Sequence, residues 1–398
     1  MTHSDIVERS DRYLFAVYRR APVALVQGRG CRVWDADGKP YLDFFASTIV
    51  ASLGHCHPRV VEALRVQSEK ILHVSNLHYS EPAARLAELL CRNSFADRVF
   101  FCNSGAEANE AAIKLARAYG RAERGGRYEI LTATGSFHGR TLATLAATGQ
   151  EKVRAGFEPL PDGFRYVPYD RPELLEEAIG ERTVAVLLEP VQGEGGVVVP
   201  RPDYLGRVRE ICDRHGLLLM LDEVQTGMGR LGHLFGHEMA GVRPDVVTLA
   251  KGLGGGVPIG AMLATEKVAR AWLPGAHGST FGGNALACAA ACAVVEELLG
   301  GEVLENCRRV GEDLRNLLGD RIGGDPRVRE IRGAGLLVGV ELTVPGDGLV
   351  ESCRRLGLLL NCTAEKVLRL CPPLVVSREE VEEAVEILAR ALAELEEP

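Results

Sequence analysis

The sequence has no apolar run that is long enough to cross a bilayer. The longest, Ala285–Val295, is rich in alanine and falls short of the roughly 18 residues that a transmembrane helix needs. The chain also has no block of like charge, and its formal net charge of -8 argues against a nucleic acid or an anionic membrane as a partner. The N-terminus, Met-Thr-His-Ser-Asp, shows no leader-peptide pattern, so we expect a cytoplasmic protein.

Cysteine pairs with a metal-binding or redox spacing are also missing. None of the eleven cysteines forms a C-x-x-C pair, and several, such as Cys288 and Cys292, lie inside apolar runs. This usage is typical of reduced, buried thiols in a cytosolic protein. The segment His55–His57 (His-Cys-His) suggests metal ligands, but adjacent side chains point in different directions and no second pair follows. We therefore expect a turn before Pro58 and no metal site.

Lysine is scarce, and this shortens the search for one kind of chemistry. Only seven of the 46 basic residues are lysine. Because arginine does not form a Schiff base, an enzyme of this sequence that used an imine would have few candidates. Walker-A and G-x-S-x-G patterns are absent as well. The lysines are residues 39, 70, 114, 152, 251, 267 and 366.

The length of 398 residues and the pattern of apolar runs predict two domains. In the middle of the chain, short apolar runs alternate with helical patterns, which predicts an α/β fold with a mainly parallel sheet covered by helices. We expect an N-terminal segment (1–52) that packs with the small domain, a large domain (53–295) and a small α+β domain (296–398). The predicted strands are Arg98–Cys102, Glu129–Ala133, Val184–Val191, Leu217–Val224, Val246–Ala250, Gly335–Glu341 and Gly357–Asn361, and the predicted helices include Glu107–Arg124, Tyr204–His215, Val294–Leu318 and Glu379–Glu397.

One polar motif, Asn103–Glu107, follows a predicted strand and opens a predicted helix. Ser104 and Glu107 fit a capping box, and Gly105 would let an anion approach the free N–H groups at the helix N-terminus. Taken alone, the motif fits an ordinary capped helix better than a phosphate site.

Two further motifs end buried strands, where a parallel sheet presents residues to a ligand. Asp222 closes the run that begins at Leu218, and a carboxylate there is suited to keep a pyridine nitrogen protonated; acids in a solvent-facing loop are the alternative. Lys251 follows the run Val246–Ala250 and precedes a glycine-rich loop. Apolar surroundings would lower the pKa of its amine and free it as a nucleophile and base. A lysine that simply extends to solvent is equally consistent with this motif alone.

A different class of protein is suggested by Gly227–Gly232, which matches G-x-G-x-x-G and follows a strand. This match is the one argument for an NAD-binding protein. A dinucleotide site needs a helix after the glycines, and the next segment, His233–Gly236, has no helical pattern. The match is therefore a weak signal.

Taken in order, these motifs resemble the class III (ornithine-type) aminotransferases of pyridoxal-phosphate (PLP) fold type I, nearly end to end. The resemblance implies a homodimeric enzyme that carries PLP as a Schiff base on Lys251. Within the family, the motifs are most similar to those of the enzymes that act on acetylornithine. The matching segments are 104–117, 136–150, 187–197, 221–230, 249–263, 278–287 and 368–374.

The resemblance also implies a role for each site residue. Lys251 would carry PLP and move a proton between the substrate and the cofactor, and Asp222 would pair with the pyridine nitrogen. Arg140 would bind one substrate carboxylate and Arg369 a second, with Glu194 nearby. The other implied contacts are Gln225 at the phenolic oxygen, Ser104, Gly105 and Ala106 at the phosphate, Phe137 and Val224 on the two ring faces, Thr280 at the phosphate of the partner subunit, and Glu189 as support behind the site.

The implied reaction is ping-pong transfer of the δ-amino group of N2-acetylornithine to 2-oxoglutarate, which gives glutamate and N-acetylglutamate 5-semialdehyde in arginine biosynthesis. One segment departs from the family pattern. The acetylornithine enzymes tend to read Ala-Gly-Ile-Ala-Val-Asn where residues 46–51 read Ala-Ser-Thr-Ile-Val-Ala. Since this segment lines the substrate mouth in the family, we expect Thr48 to contact the donor. Other donors therefore stay open, namely succinylornithine, ornithine, 4-aminobutyrate or an amine of lysine biosynthesis, as does an aminomutase on the same fold.

Overall fold

The structure is a computed structural model, and it describes residues 1–394. Its regular structure consists of three sheets and the helices around them. The strands are β1 (Leu25–Arg29), β2 (Arg32–Asp35), β3 (Pro40–Asp43), β4 (Arg98–Cys102), β5 (Glu129–Ala133), β6 (Phe164–Val167), β7 (Thr183–Leu188), β8 (Leu218–Asp222), β9 (Val246–Leu249), β10 (Gly260–Ala264), β11 (Val328–Ala334), β12 (Leu337–Leu342), β13 (Leu358–Leu359), β14 (Asn361–Thr363) and β15 (Val367–Leu370). The helices are α1 (His3–Tyr13), α2 (Ala46–Ile49), α3 (Pro58–Ser68), α4 (Glu81–Arg92), α5 (Gly105–Glu123), α6 (Leu142–Ala147), α7 (Glu151–Arg154), α8 (Pro172–Glu177), α9 (Tyr204–His215), α10 (Glu266–Ala269), α11 (Ala285–Leu299), α12 (Glu302–Ile322), α13 (Asp347–Leu356) and α14 (Arg378–Glu394), and short 3-10 helices span Gly236–Ala240 and Lys251–Gly254.

Seven strands form the central sheet, in the order β4-β10-β9-β8-β7-β5-β6. Strand β10 is antiparallel to both of its neighbours, and the other strands run in one direction. Every residue of β7 and β8 is buried, and alternate side chains of these strands join two apolar clusters, one on each face. Helix α5 contributes to one cluster and α9 to the other. The mainly parallel sheet predicted from the sequence is present, and its strands are continuously apolar because both faces are covered.

The ends of three strands bring distant motifs to one edge of this sheet. Ser104 follows β4, Asp222 is the last residue of β8, and Lys251 comes two residues after β9. Parallel strands end on the same side of a sheet, so residues that are more than a hundred positions apart meet there.

Two four-stranded sheets lie outside the central one. In the first, with the order β1-β2-β3-β13, the N-terminal strand β3 pairs in parallel with β13 of the C-terminal part. The second, with the order β11-β12-β15-β14, is antiparallel throughout and carries Arg369 in β15. The pairing of β3 with β13 supports the proposal that residues 1–52 pack with the small domain, and the domain boundaries themselves stay predictions.

Two of the elements predicted from the sequence were wrong. The helix expected over Val294–Leu318 is two helices, α11 and α12, because the chain turns at Gly301, whose φ of 88° is unfavourable for other residues. The strand expected over Gly357–Asn361 divides between β13 and β14, which belong to different sheets. The last helix, predicted over Glu379–Glu397, is described as far as Glu394, and its remaining residues lie outside the described part of the chain.

The most apolar helix, α11, packs inside the protein. It contacts α3 and α4, and its alanines and cysteines are mostly buried. Within residues 1–394, no helix combines the length and the apolar character that a bilayer-spanning segment needs.

Two glycines of α12 provide a matched test of its packing. A Cβ added to the buried Gly311 would lie 2.2 Å from the carbonyl oxygen of Gly335, whereas one added to Gly319, on the exposed side, would meet nothing within 4 Å. We expect Gly311→Ala to lower the free energy of unfolding by about 1–3 kcal/mol because backbone atoms must shift. Gly319→Ala should raise it by roughly 0.5–1 kcal/mol through helix propensity. Urea denaturation of both variants measures the two changes in the free energy of unfolding. A loss of stability in both would contradict the difference in surroundings between Gly311 and Gly319.

Candidate active site

A cavity of about 410 Å³ opens at the edge of the central sheet where β4, β8 and β9 end. It brings together nine of the residues that the sequence motifs marked, together with Glu189. Its lining residues are Val50, Asn103, Ser104, Gly105, Ala106, Asn109, Phe137, His138, Gly139, Arg140, Glu189, Asp222, Val224, Gln225, Ala250, Lys251, Gly256, Val257, Pro258 and Ile259.

One end of the cavity is the N-terminus of α5. The hydroxyl of Ser104 caps the helix by accepting a hydrogen bond from the Glu107 amide at 3.2 Å. The Glu107 carboxylate accepts from the amide of Asn103 at 2.8 Å, one residue before the position that a capping box uses. Gly105 and Ala106 occupy the first two helical positions, whose N–H groups have no carbonyl partner within a helix. This end of the cavity therefore favours an anion.

Asp222 is buried and surrounded by hydrogen-bond donors. Its Oδ2 accepts from the side-chain amide of Asn109 at 2.7 Å and lies 2.8 Å from Nδ1 of His138. Its Oδ1 accepts from the backbone amide of Val224 at 3.0 Å and lies 3.5 Å from the hydroxyl of Thr248. Since a carboxylate only accepts, Nδ1 of His138 carries a hydrogen in this pair. These donors satisfy both oxygens of the carboxyl group and fix its orientation.

Sequence reasoning missed the residues that hold Asp222. Asn109 and His138 line the cavity, and Thr248 donates to the side-chain oxygen of Asn109 at 2.7 Å. A weak signal was available, because Thr248 interrupts the apolar strand β9 and Asn109 is a polar residue on the buried face of α5. What each of them bonds could not be read from either pattern.

Lys251 begins a 3-10 helix directly after β9, and its φ of 39° is unusual for a residue with a side chain. Burial lowers the pKa of its amine from 10.5 to about 8, although the carboxylates of Glu194 and Asp222 oppose this shift. About a tenth of the amine is therefore uncharged at pH 7, far more than for an ordinary lysine, and is available as a nucleophile or a base.

Glu189 provides a second buried carboxyl group in the lining of the cavity. It accepts hydrogen bonds from the amides of Phe137 at 3.2 Å and of Gly193 at 3.3 Å. Burial and the neighbouring Asp222 raise the pKa of Glu189 well above its ordinary value. Because burial and a nearby negative charge both disfavour ionisation, Glu189 is driven toward its neutral form.

A buried ion pair lies beside the cavity. The guanidinium Nη1 of Arg369 donates to Oε1 of Glu194 at 2.7 Å and to Oε1 of Gln225 at 3.1 Å. Gln225 in turn donates from Nε2 to Glu194 at 3.1 Å, and Nε of Arg369 donates to Asn361 at 3.2 Å. Burial alone would raise the pKa of Glu194, but the charges of Arg369 and Lys251 outweigh it and the pKa is lowered. Gln225, which lines the cavity, thereby connects it to the ion pair.

The pair is unequally exposed. The side chain of Arg369 is 1% exposed and that of Glu194 is 27% exposed. Moving Glu194 away would cost it little solvation, whereas Arg369 would be left as an unpaired buried cation. Arg140, in contrast to the buried Arg369, is exposed, and its guanidinium carbon lies 5.5 Å from the ring centre of Phe137.

Segment 46–51, whose sequence differs from the family pattern, has an unusual backbone. Ala46, Ser47, Thr48 and Ile49 all have positive φ values, of 44°, 52°, 64° and 70°. Left-handed conformations of this kind cost free energy in residues with a side chain, so the surroundings must hold them in place. Asp43 does so at the start, where its Oδ1 accepts from the Phe45 and Ala46 amides at 3.1 and 2.9 Å.

This strained turn leads directly to the cavity, since Val50 is one of the lining residues. Thr48 is partly buried but is not among those residues. Thr280 also lies elsewhere: it is exposed and borders a separate cavity of about 790 Å³ with His73, Asn76 and Leu77.

The metal and dinucleotide hypotheses find no support in the geometry. His55 bonds Asp43 through Nε2 at 2.7 Å, and among residues 1–394 no three His, Cys, Asp or Glu side chains are arranged to hold a metal ion. The segment Gly227–Gly232 is followed by turns and the short 3-10 helix Gly236–Ala240 rather than by the helix that a dinucleotide site requires.

Comparison with known proteins identifies the class. The model of the class III aminotransferase family matches residues 15–392, so the chain belongs to this family of PLP-dependent transaminases. Acetylornithine aminotransferases from Methanothermobacter thermautotrophicus and Caldanaerobacter subterraneus are 47% and 51% identical, over 99% and 96% of this chain and 100% and 98% of theirs. The ornithine aminotransferase of Toxoplasma gondii has the same fold, with a TM-score of 0.95 at 34% identity over 99% of this chain and 95% of that one.

The cavity residues fit the cofactor of the family. The free N–H groups at the start of α5 suit a phosphate, the carboxylate of Asp222 suits a protonated ring nitrogen, and the amine of Lys251 suits an aldehyde carbon. A Cβ on Gly105 would lie 2.8 Å from the side chain of Val224, so a larger residue would narrow the space between the helix and the ring site.

The lowered pKa of Lys251 predicts a pH-dependent stability in protein prepared without the cofactor. The pKa is about 8 in the folded state and 10.5 in the unfolded state, so charging the buried amine opposes folding fully below pH 8 and no longer does so above pH 10.5. Lys251→Met should therefore raise the free energy of unfolding at pH 7 by roughly 3 kcal/mol. This gain should shrink as the pH rises from 8 to 10.5.

Urea denaturation at a series of pH values measures this gain. The exposed Lys70 provides the control, because Lys70→Met should change stability by less than about 0.5 kcal/mol at every pH. A gain in Lys251→Met that does not vary with pH would show that its amine is not held in an unfavourable charged state.

Proposed function

We propose that the chain transfers the δ-amino group of N2-acetylornithine to 2-oxoglutarate, with PLP bound to Lys251, as a step of arginine biosynthesis in the cytoplasm. The observation that carries this proposal is the cavity that joins Lys251 and Asp222 with the Glu194–Arg369 pair beside it. The similarity to acetylornithine aminotransferases over nearly the whole chain supports the choice of donor.

PLP, when bound, supplies an aldehyde carbon that takes up the amino group and a ring that withdraws electrons from the substrate carbon beside it. The N–H groups of Gly105 and Ala106, together with the Ser104 hydroxyl, would hold its phosphate. Asp222, oriented by its hydrogen bonds with Asn109 and His138, would pair with the ring nitrogen and keep it protonated.

The side chains around the ring would orient the cofactor and shield it from water. Phe137 and Val224 line the cavity and would cover the two ring faces, and Gln225 would donate to the phenolic oxygen. The amine of Lys251 would then hold or release the proton that moves during transfer, a task that its lowered pKa favours. Glu189 would support the site by fixing the backbone of Phe137.

The two substrates differ in the charges that they bring to this site. The donor has one free carboxylate, far from its reacting amine, and the acceptor has two, one of them adjacent to its carbonyl. Arg140, exposed at the cavity, would bind the distal carboxylate in both half-reactions. Arg369 would bind only the α-carboxylate of the acceptor, through the two-pronged contact that a guanidinium makes.

Glu194 would control when Arg369 is available. With Glu194 bonded at 2.7 Å, Arg369 is neutralised and does not attract an α-carboxylate, which suits the ω-amine donor. When 2-oxoglutarate enters, its carboxylate would replace Glu194, which is already partly exposed and moves into water at small cost.

We also propose that the active unit is a homodimer. Leu77, which borders the same cavity as Thr280, and Phe281, the next residue in sequence, are large apolar side chains that are exposed in the single chain. A second copy of the chain would cover them, as apolar patches on enzymes commonly mark subunit contacts. Thr280 does not line the Lys251 cavity of its own chain, and it would then reach the phosphate bound in the partner subunit.

The proposed function predicts the order of amino donors. With 2-oxoglutarate as acceptor, N-acetylornithine should react faster than succinylornithine, ornithine, 4-aminobutyrate or a lysine-biosynthesis amine, as measured by glutamate formation.

Lys251→Ala should lower turnover by several orders of magnitude, because its amine is the nucleophile and the base. Since Thr48 would lie at the donor mouth, Thr48→Ile should change the ranking modestly, by about 1–3 kcal/mol of discrimination between donors. A different preferred donor would correct the substrate while leaving the aminotransferase chemistry intact.

The role of the ion pair predicts unequal effects on the two half-reactions. Arg369→Ala should slow the 2-oxoglutarate half far more than the N-acetylornithine half, whereas Arg140→Ala should slow both. Glu194→Gln leaves Arg369 uncompensated and should raise reaction with glutamate as donor. Single-turnover absorbance changes of the cofactor measure each half separately. Equal losses in both halves for Arg369→Ala, with no gain for glutamate in Glu194→Gln, would mean that the pair is only structural.

A further inference from the structure

The loop that carries Glu194 is bound by side chains from a different sheet. The hydroxyl of Thr363, in β14, donates to the backbone carbonyl of Glu194 itself. Arg332, in β11, donates from Nη2 to the carbonyl of Gly196 at 2.7 Å and from Nε to that of Val197 at 2.9 Å. Three carbonyl groups within four residues of this loop are therefore held by the small C-terminal sheet.

The loop backbone needs this support. Val197 has a φ of 49°, which is a genuine outlier for a β-branched residue, and Gly196 before it has a φ of 109°. A conformation of this kind persists only where its surroundings impose it. On its other side the loop is held by Glu189, which accepts from the amide of Gly193 at 3.3 Å.

Arg332 is well suited to hold the loop in place. Its side chain is only 16% exposed, and its Nη1 donates to Glu330 at 2.7 Å and to Glu341 at 2.6 Å. The two acids neutralise its charge and fix the plane of the guanidinium, while the remaining nitrogens point to the loop carbonyls. The substrate cavity is not lined by Arg332, so it acts on the reaction only through the loop.

We propose that Arg332 is a positioning residue that sets how strongly Glu194 pairs with Arg369, and thereby how well the enzyme discriminates ω-amines from α-amino acids. The proposal rests on the role given above to the Glu194–Arg369 pair. A loop fixed by Arg332 keeps the Glu194 carboxylate at Arg369 for a larger fraction of time. A loop released from Arg332 leaves Arg369 free more often, which favours ligands that bring an α-carboxylate.

The test variant is Arg332→Gln, studied as the PLP-loaded enzyme. The rate constant of the N-acetylornithine half-reaction, divided by that of the glutamate half-reaction, should fall by roughly three- to tenfold. Glutarate, an unreactive five-carbon dicarboxylate, should bind more tightly by a similar factor, because Arg369 is more often free. Single-turnover absorbance measures the first quantity, and titration calorimetry measures the second without any turnover.

Arg329 provides a matched control on the same strand. It also bonds Glu341, at 2.9 Å, but its side chain is 63% exposed and makes no bond to the loop. Arg329→Gln should leave both the ratio and the affinity for glutarate unchanged. Should Arg332→Gln fail to fold, Thr363→Val removes the single bond to the carbonyl of Glu194 at nearly constant volume, and it should shift both quantities in the same direction by a smaller factor.

A double variant separates action through Glu194 from a general effect. In a Glu194→Gln background, Arg332→Gln should have no further effect on the ratio, since the carboxylate that it positions is gone. A further fall of equal size there would overturn the proposal, as would equal losses in both half-reactions with unchanged binding of glutarate. If Glu194→Gln changes the ratio and Arg332→Gln does not, only this proposal fails. If Glu194→Gln leaves the ratio unchanged, the role of the ion pair fails, and this proposal with it.

Discussion

A carboxyl group held by hydrogen bonds at the buried end of a strand is the constraint on which the site depends. Asp222 is 4% exposed, and burying a polar group of this kind is unfavourable unless donors surround it. The structure supplies them from three separate elements: Asn109 on α5, His138 after β5, and the backbone at Val224. Each of these elements must therefore be in place before the carboxylate can be tolerated, which links the chemistry of the ring nitrogen to the packing of the whole sheet edge.

The other ionisable groups arrange themselves around this fixed carboxyl group. Glu189, close to Asp222, has a raised pKa because burial and the neighbouring charge both disfavour a second anion. Lys251 has a lowered pKa because burial outweighs the attraction of the nearby carboxylates. One small cavity thus holds the hydrogen-bonded Asp222, a second acid driven toward its neutral form and an amine with a pKa of about 8, an arrangement that suits proton transfer.

Backbone strain is concentrated where the cavity meets the small sheets. The turn Ala46–Ile49 leads from β3 to the lining residue Val50, and Val197 lies in the loop that carries Glu194. In both places a side chain holds the unfavourable backbone, the nearby Asp43 in the first and Arg332 of the small C-terminal sheet in the second. In the proposed reaction the central sheet would provide the groups for chemistry, and the contacts between this sheet and its neighbours would decide which substrates those groups meet.

The sequence by itself determined the parallel sheet, the ends of its central strands and the motifs at Ser104, Asp222 and Lys251. These are local properties, since apolar runs and strand ends depend on residues near one another in the chain. The division of the strand after Gly357 and the network around Asp222 were decided by the tertiary structure. Each depends on partners that lie far away in sequence, such as Asn109, which is 113 residues from the carboxylate that it bonds. Hydrogen-bond geometry between distant elements follows from how they pack, and no local pattern contains that information.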